Sequence, residues 1–515
     1  MRIGSTFPPS AHTAEGYRRA GHWLPAQTAA EHVNALSSGG SRKALVDNYS
    51  SWTFTELADA VQRVRASLAH AGVTTDDAVL IITPLRNEVA AAYLATLYQG
   101  AVAVLLDRRC GTSDILNACV TARPRVALAF DDDAQRLGLP RHCSVLSLDA
   151  VVAEDSASLP VVDDALVNPD VPAAVVFTSG TTSAPKGVVH TINSLRCGTS
   201  NMIEALRITG ADAFFLSSPL ASITGVLQLH SALATHATVI MEDRFSGPSS
   251  LARVCEHGAT VVGGAPVIAE TLFAEAQRQG ISLPLRCIAL GGTVISPEII
   301  DSAIRFVVQP VRVYGSSEAP FSTATALDDI TSSSDEGTPL PGVEIAICGA
   351  SGADELIIRG PHQFHGYLND SHNADAFVDD WLRTGDQADI HLGRLRIKGR
   401  LKEVAVRKGM KISLAEVELA AAGLGDCAAF AVADEETGER LVLAVREATT
   451  TGDITYGDVV NHLIGAGLAK WKLPEQIVVW DGTYPRTPSG KIIRRQLSDE
   501  TRHLRTLYAP RIASG

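Results

Sequence analysis

The sequence predicts an α/β protein whose sheets are mainly parallel and covered by helices. Two observations carry that expectation. Short apolar runs alternate with longer helical patterns along most of the chain, which is what parallel strands joined by helical crossovers require. The chain also has 515 residues. That exceeds what one hydrophobic core usually supports, so two or more domains are expected.

The elements follow in order. Glu56 to Gly72 predicts a helix, with Leu57, Val61, Val64 and Leu68 on one face and Gly72 as its stop. Ala78 to Thr83 is a short apolar strand ending at Pro84, Asn87 to Gln99 is again helical, and Ala101 to Leu106 is again a strand. Ala173 to Phe177 reads as a buried strand. Further strands are expected at Phe214–Leu216, Thr238–Met241, Thr260–Val262, Ile288–Leu290 and Val311–Tyr314, between helical patterns. From Gly342 onward strands with turns dominate, and beyond Arg400 a smaller α/β pattern begins. In such sheets ligands bind beyond the carboxyl ends of the strands.

Composition narrows the classes of function. A formal charge of −13 argues against a protein that grips a nucleic-acid backbone, although a small anion needs only local positive charge. The eight cysteines are scattered with no C-x-x-C pair, which fits reduced thiols better than a disulfide framework or a zinc site. No apolar run reaches the roughly 18 residues of a spanning helix, and Met1 to His22 lacks a signal-peptide core. A cytoplasmic location is expected.

The most informative stretch is Phe177 to Val188, F-T-S-G-T-T-S-A-P-K-G-V. It offers the hydroxyls of Thr178, Ser179, Thr181, Thr182 and Ser183, the turns allowed by Gly180 and Gly187, and the charge of Lys186. Such a loop can wrap N–H and hydroxyl groups around phosphate oxygens. It is not the G-x-x-x-x-G-K-S/T pattern, because Gly187 follows Lys186. A solvated Ser/Thr turn between strand and helix is the plainer alternative.

Five other stretches carry chemistry. Tyr314-Gly315-Ser316-Ser317-Glu318 places a carboxylate after a strand, where a hard cation such as Mg²⁺ could bridge it to phosphate. Thr384-Gly385-Asp386 ends in an Asp suited to ribose hydroxyls. Gly399-Arg400-Leu401-Lys402-Glu403 and Lys408-Gly409-Met410-Lys411 are charged and turn-like. Pro485-Arg486-Thr487-Pro488-Ser489-Gly490-Lys491 is a second Ser/Gly/Lys loop. Singly, each has an ordinary reading as a cap or a solvated charge.

Taken in order, these stretches resemble the adenylate-forming superfamily of acyl-CoA synthetases, adenylation domains and beetle-type luciferases. The likeness runs from about Ala44 to Leu497 and includes Glu355-Leu356, Arg359-Gly360-Pro361, Gly366-Tyr367 and Lys470-Trp471-Lys472-Leu473-Pro474. The resemblance implies a large N-terminal domain of doubly wound, mainly parallel sheets with a small distorted β-barrel, followed by a smaller mobile α+β domain. Its boundaries here would be 1–399, a hinge at 400–402 centred on Lys402, and 403–515.

The resemblance also implies a reaction. A carboxylate attacks the α-phosphate of ATP, giving an acyl-adenylate and pyrophosphate; a thiol, most often that of coenzyme A, then displaces AMP. Lys491 would steady the transition state as the catalytic cation, with Thr178 and Glu318 as Mg²⁺ ligands. Ser179, Gly180, Thr181, Thr182 and Lys186 would hold the phosphates, Asp386 and Arg400 the ribose. Gly292, Thr293, Tyr314, Gly315, Ser316 and Ser317 would surround the adenine and the adjoining phosphate. Lys408 and Gly409 would line the coenzyme A channel. Partners implied are a small carboxylic acid and coenzyme A, with a carrier-protein thiol as the alternative acceptor. A nucleotide-binding regulator without catalysis is the reading from another class, and the oligomeric state stays open between monomer and homodimer.

Two positions depart from the family pattern. Where many CoA ligases carry a bulky gate in P-L-x-H-x-x-G, this chain has Pro219-Leu220-Ala221-Ser222-Ile223-Thr224-Gly225. With Ser222, Ile223, Gly225, Gly264 and Ala265 as the acyl-pocket residues, the expectation is a roomy, largely apolar pocket. It suits a ring-containing, branched or medium-to-long-chain acid. In the phosphate loop, Ser183 stands where the family has glycine. If the backbone there needs positive φ, serine costs about 1 kcal/mol; if not, its hydroxyl adds a donor. Comparing Ser183→Gly with the parent separates these, since an unchanged kinetic response to ATP removes any special role for Ser183.

Overall fold

A computed structural model describes residues 9–153, 164–178, 185–292, 295–329, 335–349, 354–407, 410–434, 437–446, 454–487, 491–501 and 504–509. The first expected helix spans Phe54–His70. It starts two residues earlier than the apolar spacing suggests, because Thr53 and Glu56 form a reciprocal capping box that fixes the entry. The next elements, Ala78–Ile82, Asn87–Tyr98 and Val102–Leu106, fall within a residue of the expected bounds. Both strands are buried along their whole length, as parallel strands covered on two faces must be.

Among the described residues, two large sheets form the first part of the chain. One has six strands in the order Lys186–Thr191, Pro172–Thr178, Val102–Leu106, Ala78–Ile82, Val126–Ala129, Ser144–Ser147. All its pairs are parallel except the first, which is an antiparallel hairpin. The segment 179–184, outside the described residues, is therefore flanked by two paired strands, and not by a strand and a helix as the plainer alternative to a phosphate loop assumed. The helix comes later, at Ile192–Leu206, because Val188, Val189 and His190 first complete the sheet edge.

The second sheet has nine strands. Its parallel centre runs Gln309–Tyr314, Cys287–Gly291, Val261–Gly264, Ala213–Leu216, Thr238–Met241, Lys43–Val46, with short antiparallel strands at both edges. Tyr314 and Gly291 end neighbouring strands on the same side. The helices joining these strands fill the interior between and around the two sheets.

From Glu344 to Arg400 the described residues form an antiparallel sheet of five strands, in the part of the chain where the resemblance implied a small distorted barrel. Its last strand, Arg394–Arg400, ends three residues before Val404–Arg407 opens a separate six-stranded sheet. Two hydrophobic clusters consist entirely of residues from 405 onward, including Ile412, Val417, Phe430, Leu443 and Leu497. The C-terminal segment thus carries its own core. It rests closely on the preceding sheet at Gly399. A Cβ there would stand 2.4 Å from Ser413 Oγ, and the backbone has φ +147, a combination that only glycine accepts without displacement.

Candidate nucleotide and acid site

Three separate parts of the chain meet around Asp386. Tyr314, at the end of a central strand, donates its hydroxyl to Asp386 Oδ2 at 2.6 Å. Arg400 lies directly across the antiparallel pair from Asp386 and approaches Oδ1 with Nε at 3.1 Å. The Asp386 amide donates to Thr384 Oγ1, and the hydroxyl of Thr384 donates to the Leu356 carbonyl. Burial pushes the Asp386 carboxyl above its ordinary value, while Arg400 and the Tyr314 hydroxyl pull it back. The same pairing raises Arg400. Half of the Arg400 side chain stays accessible, so the pair offers polar groups to a ligand without being sealed.

Lys491 approaches this cluster from the C-terminal segment. Its backbone is held by a tight exchange with Thr487: the Thr487 amide donates to the Lys491 carbonyl at 2.7 Å, and the Lys491 amide to Thr487 Oγ1 at 3.1 Å. The lysine keeps solvent contact on one side. On the other it is crowded among protein groups, and this desolvation, with the like charge of Arg400, lowers its ammonium below the usual lysine value. Asp386, Glu318 and Glu403 oppose that shift. The structure therefore brings Lys491, Asp386, Arg400 and Glu318 into one electrostatic neighbourhood, although 173 positions (491 − 318) separate the outermost two.

A second chain of contacts runs from the hairpin to Glu318. Thr178 pairs in register with Lys186, and its hydroxyl leans toward the Lys186 carbonyl at 3.4 Å. The Lys186 ammonium sits 4.6 Å from the centre of the Tyr367 ring, within cation–π range. The Tyr367 hydroxyl donates to Glu318 Oε1 at 2.8 Å. Glu318 is further fixed through its carbonyl, which accepts from the Phe364 amide at 2.7 Å. Gly315 and Ser316 shape the turn before it: Ser316 Oγ accepts from the Glu318 and Ala319 amides. Gly292 follows its strand at φ +80. The candidates Ser179, Gly180, Thr181, Thr182, Ser183, Thr293, Lys408 and Gly409 lie outside the described residues.

Three residues around the site carry structural roles that the sequence reading did not assign. Tyr367 was visible only as part of a family stretch. Glu355 is buried and accepts from Arg383 Nε at 3.0 Å and from the Gly385 amide at 3.1 Å, which holds the Thr384–Asp386 turn. His190 is buried, with Nε2 2.7 Å from the Ser317 carbonyl and Nδ1 3.0 Å from Ser194 Oγ. Burial holds it neutral, pushing its value down to about 4. Apart from the local His190–Ser194 contact, no spacing in the sequence marks these contacts, because each joins residues 28 or more positions apart.

The acyl-pocket candidates lie at two helix starts. Ser222 caps the helix Ile223–Thr235: its hydroxyl donates to the Pro219 carbonyl at 2.7 Å and accepts from the Gly225 amide at 3.2 Å. Gly225 is small for a backbone reason. A Cβ there would stand 2.2 Å from the Pro219 oxygen. At Gly264 a Cβ would stand 2.8 Å from Ser218 Oγ. Ala265 precedes the helix Pro266–Gln279, and Ile223 is buried. Both glycines answer local packing, and for Gly264 this takes away part of the argument for a roomy pocket.

Oxygen donors suited to a hard cation are present in Thr178 and Glu318, linked through Lys186 and Tyr367. Two protein donors match a magnesium ion that keeps waters and phosphate oxygens as its other ligands. Among the described residues no group of three or more His, Cys, Asp and Glu forms a metal cage, and no helix is long and apolar enough to cross a membrane.

Tyr314, Asp386 and Arg400, with Lys491 and Glu318 nearby, form an arrangement of donors and charges that suits a nucleotide. Residues 33–368 match the AMP-binding enzyme family, and the chain belongs to it. It is 28% identical to the medium-chain fatty-acid–CoA ligase of Escherichia coli K12, over 96% of this chain and 93% of that one. It is 29% identical to the 3-[(3aS,4S,7aS)-7a-methyl-1,5-dioxo-octahydro-1H-inden-4-yl]propanoyl:CoA ligase of Rhodococcus jostii RHA1, over 92% and 99%. Among solved structures, the o-succinylbenzoate CoA synthetase MenE of Bacillus subtilis, in complex with its acyl-adenylate intermediate, has a similar fold. Its TM-score is 0.79 at 24% identity, covering 92% of this chain and 99% of that chain.

Replacing Tyr314 by Phe removes the hydroxyl that compensates buried Asp386. The expected result is a stability loss of roughly 1–3 kcal/mol in urea titration, the usual cost of depriving a buried acceptor of its donor.

Proposed function

We propose that this chain activates a carboxylic acid with ATP and transfers the acyl group to coenzyme A. The observation that carries the reading is the convergence of Lys491 on Asp386, Arg400 and Glu318. A carboxylate is a poor electrophile, and joining it to AMP supplies a far better leaving group than hydroxide. Negative charge gathers around the phosphates as the carboxylate oxygen approaches, so fixed cations and donors supply most of the acceleration. Lys491 is the cation placed between the carboxylate and the α-phosphate. Asp386 and Arg400 hold the ribose, and Tyr314, Gly315, Ser316, Ser317, Gly292 and Thr293 surround the base and the phosphate beside it. Lys186, with Ser179, Gly180, Thr181 and Thr182, holds the departing pyrophosphate. Thr178 and Glu318 would hold Mg²⁺, which neutralises phosphate charge when bound.

The second step needs a thiol where Lys491 stood. We divide the chain into 1–399, a hinge at 400–402 and a C-terminal part at 403–515. Rotation about Lys402 withdraws Lys491 and presents Lys408 and Gly409 as the thiol channel. Supporting this, the C-terminal part has a core of its own and meets the preceding sheet through a short connection. Hinge closure of this type separates catalytic stages.

For the acid we favour an apolar, ring-containing, branched or medium-to-long-chain substrate. The relatives above are named for a medium-chain fatty acid and a fused-ring propanoate, and no acidic or basic residue stands among Ser222, Ile223, Gly225, Gly264 and Ala265 to pair a charged substituent. We place the enzyme in the cytoplasm, where eight unpaired thiols suit a reducing medium.

The deciding experiment is a pyrophosphate-release screen over fatty, aryl, alicyclic and steroid-like acids, repeated with coenzyme A and followed by thioester detection. The expected outcome is release with members of this panel, above that with acetate or amino acids, and an acyl-CoA product. Adenylate without any acyl-CoA would overturn coenzyme A as the acceptor. Lys491→Gln should lower adenylate formation by roughly a hundredfold or more, the scale of losing one fixed transition-state donor. Thioester formation from supplied acyl-adenylate should change little. Because Lys491 is shifted downward, it loses its proton as pH rises through a value below that of an ordinary lysine. Adenylation should therefore fall at alkaline pH, with the fall absent from the thioester half-reaction.

A further inference from the structure

His190 is a buried imidazole that the reaction as described does not use. It lies on the strand Lys186–Thr191, opposite Ala174 in the hairpin register. Its Nε2 is 2.7 Å from the carbonyl oxygen of Ser317. A carbonyl can only accept, so Nε2 carries the proton and Nδ1 bears the lone pair. Nδ1 faces Ser194 Oγ at 3.0 Å, and Ser194 itself exchanges hydrogen bonds with Thr191 at the start of the helix Ile192–Leu206. One side of the ring is therefore anchored to a capped helix start, and the other grips the peptide immediately before Glu318.

The surrounding backbone makes that grip consequential. The segment 364–368 is docked on the same strand, with the His365 amide donating to the Val189 carbonyl at 2.7 Å and the Leu368 amide to the Gly187 carbonyl at 2.8 Å. That segment holds Glu318 through Phe364 and Tyr367. Glu318 is thus located from two directions: its carboxylate through Tyr367, and its own peptide through His190. Both supports start on the strand that leaves the phosphate-loop hairpin.

We infer that His190 is a positioning residue that sets the Ser317–Glu318 peptide against the phosphate-loop hairpin, and through it the orientation of the Glu318 carboxylate toward the ATP phosphates. This rests on the ATP-dependent reading above. The ring transfers no proton. Its contribution is a fixed N–H donor in a place that backbone alone does not fill, which matters because small displacements of a positioned group cost large factors in rate.

The test compares two polar replacements of similar bulk. In His190→Gln the terminal amide reaches about as far as Nε2 and can still donate to the Ser317 carbonyl. In His190→Asn the amide ends near Nδ1, so it can meet Ser194 but not Ser317. The measurements are the thermal midpoint, the equilibrium affinity for ATP with Mg²⁺ by calorimetry, and the steady-state constants for pyrophosphate release. His190→Gln should stay within roughly threefold of the parent in kcat. His190→Asn should lose roughly 10- to 100-fold in kcat, with weaker ATP binding and an unchanged KM for the acid, the scale expected when one buried donor is removed. If both variants retain parental kcat and ATP affinity, or both lose them equally in step with their thermal midpoints, His190 is only a packing residue and the inference fails. Should the Asn variant not fold, Ser194→Ala replaces it: releasing the Nδ1 side of the ring is then expected to weaken ATP binding, and parental affinity overturns the inference. A parent protein that binds no ATP and releases no pyrophosphate with any acid would instead overturn the reading of the site, and this inference with it.

Discussion

Burying a carboxylate at Asp386 is the constraint on which the site depends. Its charge is taken out of water, and an uncompensated buried charge costs several kcal/mol. Compensation comes from Tyr314 on the nine-stranded sheet and from Arg400 on the neighbouring strand. Those two contacts tie the end of the large parallel sheet to the antiparallel sheet and to Arg400, the last residue of that sheet's final strand. The geometry that makes Asp386 tolerable therefore also fixes the relative positions of three elements that would hold a nucleotide.

The cluster is not balanced internally. Lys491 is drawn in by Asp386, Glu318 and Glu403, and opposed by Arg400 and by desolvation. A cation held under those conditions is available to an arriving anion, whose charge relieves the repulsion between Lys491 and Arg400. In the proposed reaction the same imbalance makes the lysine easier to withdraw once pyrophosphate has gone, while AMP is still held in the acyl-adenylate. Attraction that is conditional on the ligand is the physical link between the resting arrangement and the lid movement proposed between the two steps.

Much of this was legible in the chain. Helices and strands up to residue 314 fell within a few residues of their places, because burial on both faces forces near-continuous apolar runs and capping residues mark the helix starts. Glu318, Asp386, Arg400 and Lys491 were all nameable, since each follows a short motif of turn residues. Less legible was the acyl pocket. Gly264 reads as a small wall residue in the sequence, yet in the structure a Cβ there would stand 2.8 Å from Ser218 Oγ. A glycine in a sequence does not say whether it leaves room or fills it.

The sequence by itself determined the fold class, the order of the motifs and which side chains carry charge or hydroxyls, because these depend on local pattern and composition. Only the tertiary structure placed Thr178 and Lys186, on either side of the phosphate-loop segment, on paired antiparallel strands, brought Tyr367 and His190 to Glu318 and its preceding peptide, and let Tyr314 and Arg400 share one carboxylate. These are contacts between residues from 8 to 127 positions apart, and their energies depend on distance and burial. Neither quantity is written in the local pattern of the chain.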